Sequence, residues 1–156
     1  MIMYQPVFST TNYMTCYLSP ATDHDFDFVY QLKKTAYKEY VEQVWGWDDT
    51  FQYKFHSESF AAGNTNIIYE GSKKIGSVDV KEGESNLFLS GLYILPEYQS
   101  KGIGSTIINE LVQRAEAANK RLELEVLKVN VKAQKLYEKL GFTKRDGDET
   151  KYFMYK

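Results

Sequence analysis

The sequence predicts an α/β fold, a single domain built on a mixed central sheet. Segments that alternate apolar and polar side chains, as half-buried strands do, are interspersed with segments whose apolar side chains recur every three or four residues, as in helices. A turn with two glycines joins the most apolar strand to one of these helices. A chain of 156 residues with 43% hydrophobic side chains has the size and composition of one globular domain. We expect that domain over residues 13–156, after a polar extension over residues 1–12.

The first half of the chain predicts a strand, two helices and a two-stranded hairpin. Aspartates precede both helices, where a carboxylate can accept the unpaired backbone N–H groups of the first turn. Apolar side chains then recur at helical spacing. These elements are a strand near residues 14–18, a helix that Asp23 or Asp25 caps and that ends before Trp45, a helix that begins at Asp48 or Asp49 and ends at Gly63, and hairpin strands at residues 66–69 and 74–80.

The second half of the chain predicts two strand–helix units followed by two short strands. Each helix carries one apolar stripe, and a glycine follows the second stripe, where such a residue often ends a helix. The elements are a strand within residues 85–95, a helix from Gly102, a strand at residues 121–127, a helix ended by Gly141, and strands near residues 142–145 and 151–155. The complete order, β-α-α-β-β-β-α-β-α-β-β, is typical of helices packed on one sheet.

Charge and composition narrow the possible partners. The formal net charge of −2 does not favour a nucleic-acid or anionic membrane surface, because proteins that bind phosphate backbones concentrate Lys and Arg. No apolar run approaches the ~18 residues of a membrane-spanning helix. Cys16 is the only cysteine, which fits a reducing compartment, and His24 and His56 have no Cys or second His at metal-ligand spacing. We expect a cytoplasmic protein that binds no metal, no nucleic acid and no membrane.

The turn from Gln99 to Gly104 is the first candidate binding site. Glycines between a strand and a helix let backbone N–H groups converge on an anion such as a phosphate, and the helix N-terminus adds positive partial charge. A P-loop requires a lysine after its last glycine, where this chain has Ser105. A dinucleotide fingerprint requires a small residue where this chain has Ile107. The pattern Q-x-x-G-x-G remains, and alone it equally fits a turn that needs glycine only for its dihedral angles.

A second pattern follows the next strand and has the form N-x-x-A-x-x-x-Y-x-x-x-G-F. Its residues are Asn130, Ala133, Tyr137, Gly141 and Phe142. Together with the turn, this pattern resembles the GNAT superfamily of N-acetyltransferases, whose acetyl-CoA motif is [QR]-x-x-G-x-[GA]. The resemblance covers about residues 14–155 in element order. The two motifs together make the resemblance specific. Neither motif alone would.

The resemblance implies that acetyl-CoA binds at the turn. In the family, the strand before the turn pairs with the pantetheine arm, and the backbone amides of the turn receive the pyrophosphate. The matching residues are Leu92, Tyr93 and Ile94 on the strand, Gln99, Ser100, Lys101, Gly102, Ile103, Gly104 and Ser105 in the turn, and Asn130 and Tyr137 after it. Lys101 either adds a charge to the site or is a solvated loop lysine. Asn130 can cap its helix as well as contact the cofactor arm.

The resemblance also implies the catalytic groups. The family's acid, which protonates the departing thiolate, matches Tyr137, a residue whose place on an apolar stripe also fits a core aromatic. Many relatives carry a glutamate on the strand before the turn, and this chain has none there. The ribosomal-protein N-terminal acetyltransferases of the family carry a Glu twelve residues before the acid, which matches Glu125. Glu125 is the candidate base, acting through water, or else a solvent-facing strand residue on the same face as Glu123.

The acceptor is expected, as in the family, between the first two helices and the last strands. Trp45 and Trp47 are candidates to line an amine pocket, because an aromatic face attracts a cation, and they also fit packing between helix and loop. Residues 23–62 hold eight Asp or Glu and four Lys, a net charge of −4, which favours a cationic acceptor.

These observations predict an acetyl-CoA-dependent N-acetyltransferase. It would move the acetyl group to a primary amine of a small molecule or peptide by direct attack in a ternary complex, and would act as a monomer or homodimer. The alternative is a non-catalytic domain that binds or senses acyl-CoA. Release of thiol from acetyl-CoA in the presence of amines distinguishes the two.

Overall fold

The fold is one mixed sheet of seven strands with four α-helices, in a computed structural model that describes residues 16–156. The α/β fold class predicted from the sequence is confirmed. Strands and helices follow one another in the predicted order, with short 3₁₀ turns added at Asp23–Asp25 and Pro96–Tyr98. The predicted extension over residues 1–12 and the first two residues of the predicted first strand lie outside the described residues.

The elements are named in chain order. The strands are β1 Cys16–Pro20, β2 Thr65–Glu70, β3 Lys73–Glu82, β4 Asn86–Ile94, β5 Arg121–Leu127, β6 Thr143–Asp146 and β7 Lys151–Tyr155. The helices are α1 Phe26–Trp45, α2 Asp49–Ala61, α3 Ile103–Ala117 and α4 Val131–Lys139. None of these helices is long and apolar enough to cross a membrane.

Helix boundaries follow local capping. The Asp48 carboxylate accepts the Phe51 N–H at 2.7 Å, so α2 begins where the sequence predicts. The prediction that α1 ends before Trp45 is wrong, because α1 includes Trp45 and ends where Gly46 adopts a φ of 77° and donates its N–H to the Glu42 carbonyl.

The final strands are also slightly shifted. β6 begins one residue later than predicted, because the Phe142 N–H donates to the Tyr137 carbonyl at 3.0 Å and therefore still belongs to the end of α4. β7 has the predicted bounds.

Strand order in the sheet is β1-β2-β3-β4-β5-β7-β6. Only β4 and β5 run parallel, and every other neighbouring pair of these seven strands is antiparallel. α3 provides the long crossover that a parallel connection requires. The two strands that matter most for the site, β4 and β5, therefore both end at the same edge of the sheet, beside the N-terminus of α3.

Both faces of the sheet are covered. Ile67 and Ile68 are adjacent on β2 and point to opposite faces, yet each is at most 1% exposed. One face packs against the apolar stripe of α3, which includes Ile107 and Ile108. On the other side, Val29 of α1 is completely buried. This second layer, formed by α1 and α2, makes one wall of the candidate acceptor pocket.

Candidate active site

β4 and β5 separate partway along their length and leave a gap in the sheet. Their pairing ends at Leu89 and Leu124. Beyond that point β4 remains paired with β3, and β5 remains paired with β7. The backbone groups of residues 90–94 that face β5 have no strand partner there, so an extended ligand can pair with them as an additional strand. The three predicted pantetheine-binding positions, Leu92, Tyr93 and Ile94, all lie along this gap.

The turn after β4 presents open backbone N–H groups. Gly102 is the N-cap of α3, at a φ of 83°, and no side chain of the described residues caps this helix. The first helical bond runs from the Thr106 N–H to the Gly102 carbonyl, so the N–H groups of residues 102–105 have no partner within the helix. The Gln99 amide donates to the Ile94 carbonyl at 2.8 Å and ties the turn to the end of β4. Such a turn is suited to bind an anion.

The remaining turn residues differ in their surroundings. Ser100 is exposed and has a φ of 60°, a conformation that non-glycine residues rarely adopt. The Ile103 side chain is 4% exposed and anchors the turn in the core, whereas Ser105 is half-buried. Lys101 lies over the ring of Tyr98, with Nζ 5.3 Å from the ring centre, and is exposed.

The fold has room for a Cβ at Gly104. A Cβ at this position would lie 3.6 Å from Ile94 Cδ1 and 3.8 Å from Leu92 Cδ2, which are ordinary van der Waals contacts. Its backbone is helical, within the first turn of α3. Packing within the described residues therefore tolerates a Cβ at Gly104.

Two polar side chains fix the start of α4 against the end of β5. Asn130 Oδ1 accepts the Ala133 N–H at 3.1 Å and so caps the helix as predicted. Gln134 is buried and donates to the carbonyls of Leu127 and Lys128, at 3.1 and 2.9 Å. Gln134 went unpredicted, although an amide between the apolar positions of an amphipathic helix is the signal that could have identified it.

Tyr137 lies on the face of α4 that packs towards the core. Its ring is 5.5 Å from that of Phe142, centre to centre. Burial, with a smaller effect of Tyr37, raises the pKa of Tyr137 to about 12. Its phenol therefore stays protonated at neutral pH. Tyr37 of α1 also packs against Tyr93 of β4, at 6.3 Å between ring centres, so tyrosines from three elements converge here.

A pocket of about 820 Å³ opens between the layer of α1 and α2 and the strands β3, β4 and β5. Trp45, Trp47 and Glu125 all line it, so the structure brings the predicted acceptor residues and the predicted base together. Tyr93 lines it from the gap between β4 and β5. The aromatic side chains of the wall are Tyr30, Tyr37, Trp45, Trp47, Phe51, Phe55, Phe88 and Tyr93.

The two tryptophans differ in their contacts. Trp47 Nε1 donates to Asp49 at 3.0 Å. Trp45 is 56% exposed, and the Lys151 Nζ lies 6.0 Å from its ring centre. Trp45 therefore has a large aromatic surface available to a ligand at the pocket mouth.

The charged side chains of the pocket wall are of both signs. They are Lys33, Lys34, Lys81, Lys151, Asp48, Asp79 and Glu125. Of the eight acidic residues in the segment 23–62, Asp48 alone lines the pocket. The acidic excess of that segment therefore lies mostly elsewhere.

Glu125 and Glu123 share a face of β5 but have different partners. Glu123 is largely buried and binds Asn86 at 2.7 Å and Arg121 at 3.0 Å. Glu125 has a half-exposed side chain and one ion pair, to Lys151 at 3.1 Å. Glu123 is thus held by the protein, whereas Glu125 lines the pocket with the half-buried Lys151 as its ion-pair partner.

Asp79 is a further carboxylate in the pocket wall that the sequence did not reveal. It lies on β3, is 8% exposed, and pairs with Lys33 of α1 at 3.0 Å. No simple alternation marks its position, because residues 75–79 are all buried. Within the part of the chain that the structure describes, no group of three or more His, Cys, Asp or Glu could hold a metal ion.

Comparison with known proteins gives the family. Residues 26–142 match the family model described as the acetyltransferase (GNAT) family. The acetyltransferase PseH of Campylobacter jejuni is 30% identical over 124 residues, which cover 78% of this chain and 73% of PseH. The thialysine N-epsilon-acetyltransferase of Bos taurus is 40% identical over 57 residues, 36% of this chain and 34% of that enzyme. The match therefore spans about a third of the length of that relative.

Solved structures share the fold. The PaiA N-acetyltransferase of Thermoplasma acidophilum, in complex with coenzyme A, has a TM-score of 0.72 at 19% identity, over 92% of this chain and 99% of that one. Naa50 of Arabidopsis thaliana, in complex with the bisubstrate analogue CoA-Ac-MVNAL, has a TM-score of 0.65 at 21% identity, over 90% of this chain and 97% of that one. From the sequence match and the shared fold, we conclude that this chain belongs to the GNAT acetyltransferase family.

Proposed function

We propose that residues 13–156 form an acetyl-CoA-dependent N-acetyltransferase that acts on a primary amine by direct attack in a ternary complex. One observation carries the proposal: the gap between β4 and β5 lies between the open N–H groups of the α3 turn and the 820 Å³ pocket. A thioester bound along the gap would have its pyrophosphate at the turn and its acetyl group at the pocket.

The turn and β4 would hold acetyl-CoA. The N–H groups of residues 102–105 would bind the pyrophosphate, helped by the positive end of α3. The free backbone edge at Leu92, Tyr93 and Ile94 would pair with the amides of the pantetheine arm. Asn130, the N-cap of α4 just after β5, would contact the same arm.

Tyr137 is the proposed acid. Because its pKa is raised to about 12, the phenol stays protonated throughout the range in which an enzyme works, and it can donate a hydrogen bond to the departing sulfur. A CoA thiol has a pKa near ~8.5, so a hydrogen bond from Tyr137 is enough to let the thiolate leave. The nitrogen loses a second proton as the amide forms, and that proton converts the thiolate to the thiol.

Glu125 is the proposed base. An alkyl ammonium with a pKa near ~10 must lose a proton before it attacks, and a half-exposed carboxylate at the pocket can relay that proton through water. Its one ion pair, to Lys151, lies at the pocket wall, so the carboxylate is within reach of water in the pocket.

The proposed acceptor is a small molecule or peptide with a primary amine, cationic before it reacts. Trp45 and Trp47 offer aromatic faces to such a cation. Two relatives support the class: one is named for the ε-nitrogen of thialysine, and the other was solved with an analogue joining CoA to a peptide. We further propose that the protein acts in the cytoplasm, as a monomer or homodimer, without metal, nucleic acid or membrane.

The test is release of thiol from acetyl-CoA across a panel of primary amines, with the acetylated amine identified by mass spectrometry. We expect turnover with at least one amine and loss of turnover in Tyr137→Phe. Tight binding of acetyl-CoA without turnover of any amine would favour the alternative, a domain that only binds acyl-CoA.

A further inference from the structure

The pair formed by Lys33 and Asp79 is the most buried charged contact in the pocket wall. Lys33 Nζ lies 3.0 Å from Asp79 Oδ2, and the two side chains are 19% and 11% exposed. The proposed chemistry uses neither residue. A buried ion pair contributes little net stability, because removing both charges from water opposes their attraction. Its presence in a ligand pocket therefore needs another explanation.

The Asp79 carboxylate has capacity for a further donor. Oδ1 is buried and has no hydrogen-bond partner among the described residues, and Lys33 Nζ pairs with Oδ2. An ionised carboxylate can accept several hydrogen bonds, and a buried oxygen without one is unfavourable. Lys33 therefore does not saturate Asp79, and a primary ammonium that took the place of Lys33 Nζ would bring the same three N–H donors to this carboxylate.

An aromatic ring completes the surroundings of the pair. Lys33 Nζ lies 5.8 Å from the centre of the Tyr93 ring. Gly91, the partner of Asp79 across the sheet, allows the ring and the carboxylate to approach each other, since a Cβ there would lie 2.7 Å from Tyr93 Cε2 and 3.0 Å from Asp79 Oδ2. Both a carboxylate and an aromatic face attract an alkyl ammonium, so their combination suits one.

Lys33 itself is an alkyl ammonium, and it occupies this site in the structure. We propose that Asp79 binds the ammonium of the acceptor, and that the acceptor displaces Lys33 Nζ to do so. The four-carbon stem of Lys33 is flexible, and its side chain is the more exposed of the two, so the lysine can swing into the pocket. The inference rests on the proposed function and adds the residue that selects a cationic amine over a neutral group of the same shape.

The test measures binding to the chain saturated with coenzyme A, by calorimetry at neutral pH. The probes are 2-phenylethylammonium, whose ring suits the aromatic wall, and 2-phenylethanol, its neutral counterpart. For the wild-type chain we expect the ammonium to bind at least about tenfold more tightly than the alcohol. Asp79→Asn should remove this preference.

Lys33→Met separates ligand binding from a structural role. If Lys33 competes with the ligand, its removal should raise the affinity for the ammonium several-fold, whereas Asp79→Asn lowers it. If the pair only supports the fold, both variants should weaken binding alike, which would overturn the proposal. Urea unfolding of each variant identifies the conditions in which both remain folded.

Lys81→Met is the matched control for charge. Lys81 also lines the pocket and is exposed, so its removal changes the net charge equally without vacating Asp79. An equal gain in Lys33→Met and Lys81→Met would contradict displacement, as would a wild-type chain that does not prefer the ammonium. These measurements need no turnover. A chain that binds the ammonium through Asp79 but acetylates no amine would contradict the proposed function instead.

Discussion

The proposed acid chemistry depends on one group, the hydroxyl of Tyr137. Tyr137→Phe removes that hydroxyl and little volume, and the ring contact with Phe142 remains. We expect kcat to fall by about 100-fold or more, with little change in urea stability or in the affinity for acetyl-CoA. A folded variant with wild-type turnover would make Tyr137 a core residue only.

The two glutamates of β5 allow a matched test of the base. Glu125→Gln should lower kcat/KM by about 10- to 100-fold at low pH, where little free amine exists, and a higher pH should partly restore the rate. Glu123→Gln should have much less effect, because Glu123 is occupied by Asn86 and Arg121. The measurement is kcat/KM against pH for both variants. Equal and small effects would leave Glu125 as a surface residue.

His56 connects stability to pH. Burial, followed by the positive charge of Lys33, lowers the pKa of His56, and its Nδ1 has no partner among the described residues. Below the unfolded pKa of ~6.5, the unfolded chain binds a proton that the folded chain does not, so the free energy of unfolding should fall as the pH drops from about 7 to about 5. The urea midpoint should fall less in His56→Gln. An identical pH dependence in that variant would assign the effect to other groups.

Single residues that belong to a motif could be identified from the sequence, whereas residues whose position depends on packing between distant segments could not. Gln99, Gly102 and Asn130 occur at fixed spacing, and the structure places them at the turn and at the helix cap. Asp79 acquires its position through the pairing of β3 with β4 and its partner through α1. Contacts between residues so far apart in the chain leave no local pattern.

At the scale of elements, the turn before α3 is the feature to test. Gly104→Val should weaken acetyl-CoA binding at least about tenfold, because the side chain would project beside Leu92 and Ile94, into the region where we propose that the cofactor lies against the turn. The fold should persist, since a Cβ at Gly104 makes ordinary contacts with Leu92 and Ile94. Asn109→Val is the matched control, at an exposed position of the same helix. Unchanged affinity in Gly104→Val by calorimetry would defeat the assignment of the turn.

Element types and their order were predictable because each element carries its own periodicity and its own ends. Where a capping side chain marks an end, as Asp48 does for α2, the predicted boundary is confirmed. The end of α1 was predicted one residue too early. The prediction assigned Trp45, Gly46 and Trp47 together to the loop, but Gly46 stops the helix and Trp45 is its last residue. The gap between β4 and β5 could not be predicted from either strand alone, since it depends on their register.

At the scale of the whole molecule, the sheet brings three separate structures to one place: the turn at the start of α3, the gap between β4 and β5, and the pocket beneath α1 and α2. A thioester and an amine bound in this arrangement would meet at the gap. Direct attack then requires no covalent intermediate on the chain, and transfer should occur only when both substrates are present.

The most direct test of acetyl transfer in a ternary complex is a two-step reaction followed by mass spectrometry and by thiol release. The chain is first incubated with acetyl-CoA alone, and a primary amine that supports turnover is then added. We predict no thiol release and no acetylated protein in the first step, then formation of thiol and acetylated amine in equal amounts in the second. An acetylated chain in the first step would contradict direct attack, and the absence of acetylated amine with every primary amine tested would contradict the proposed activity.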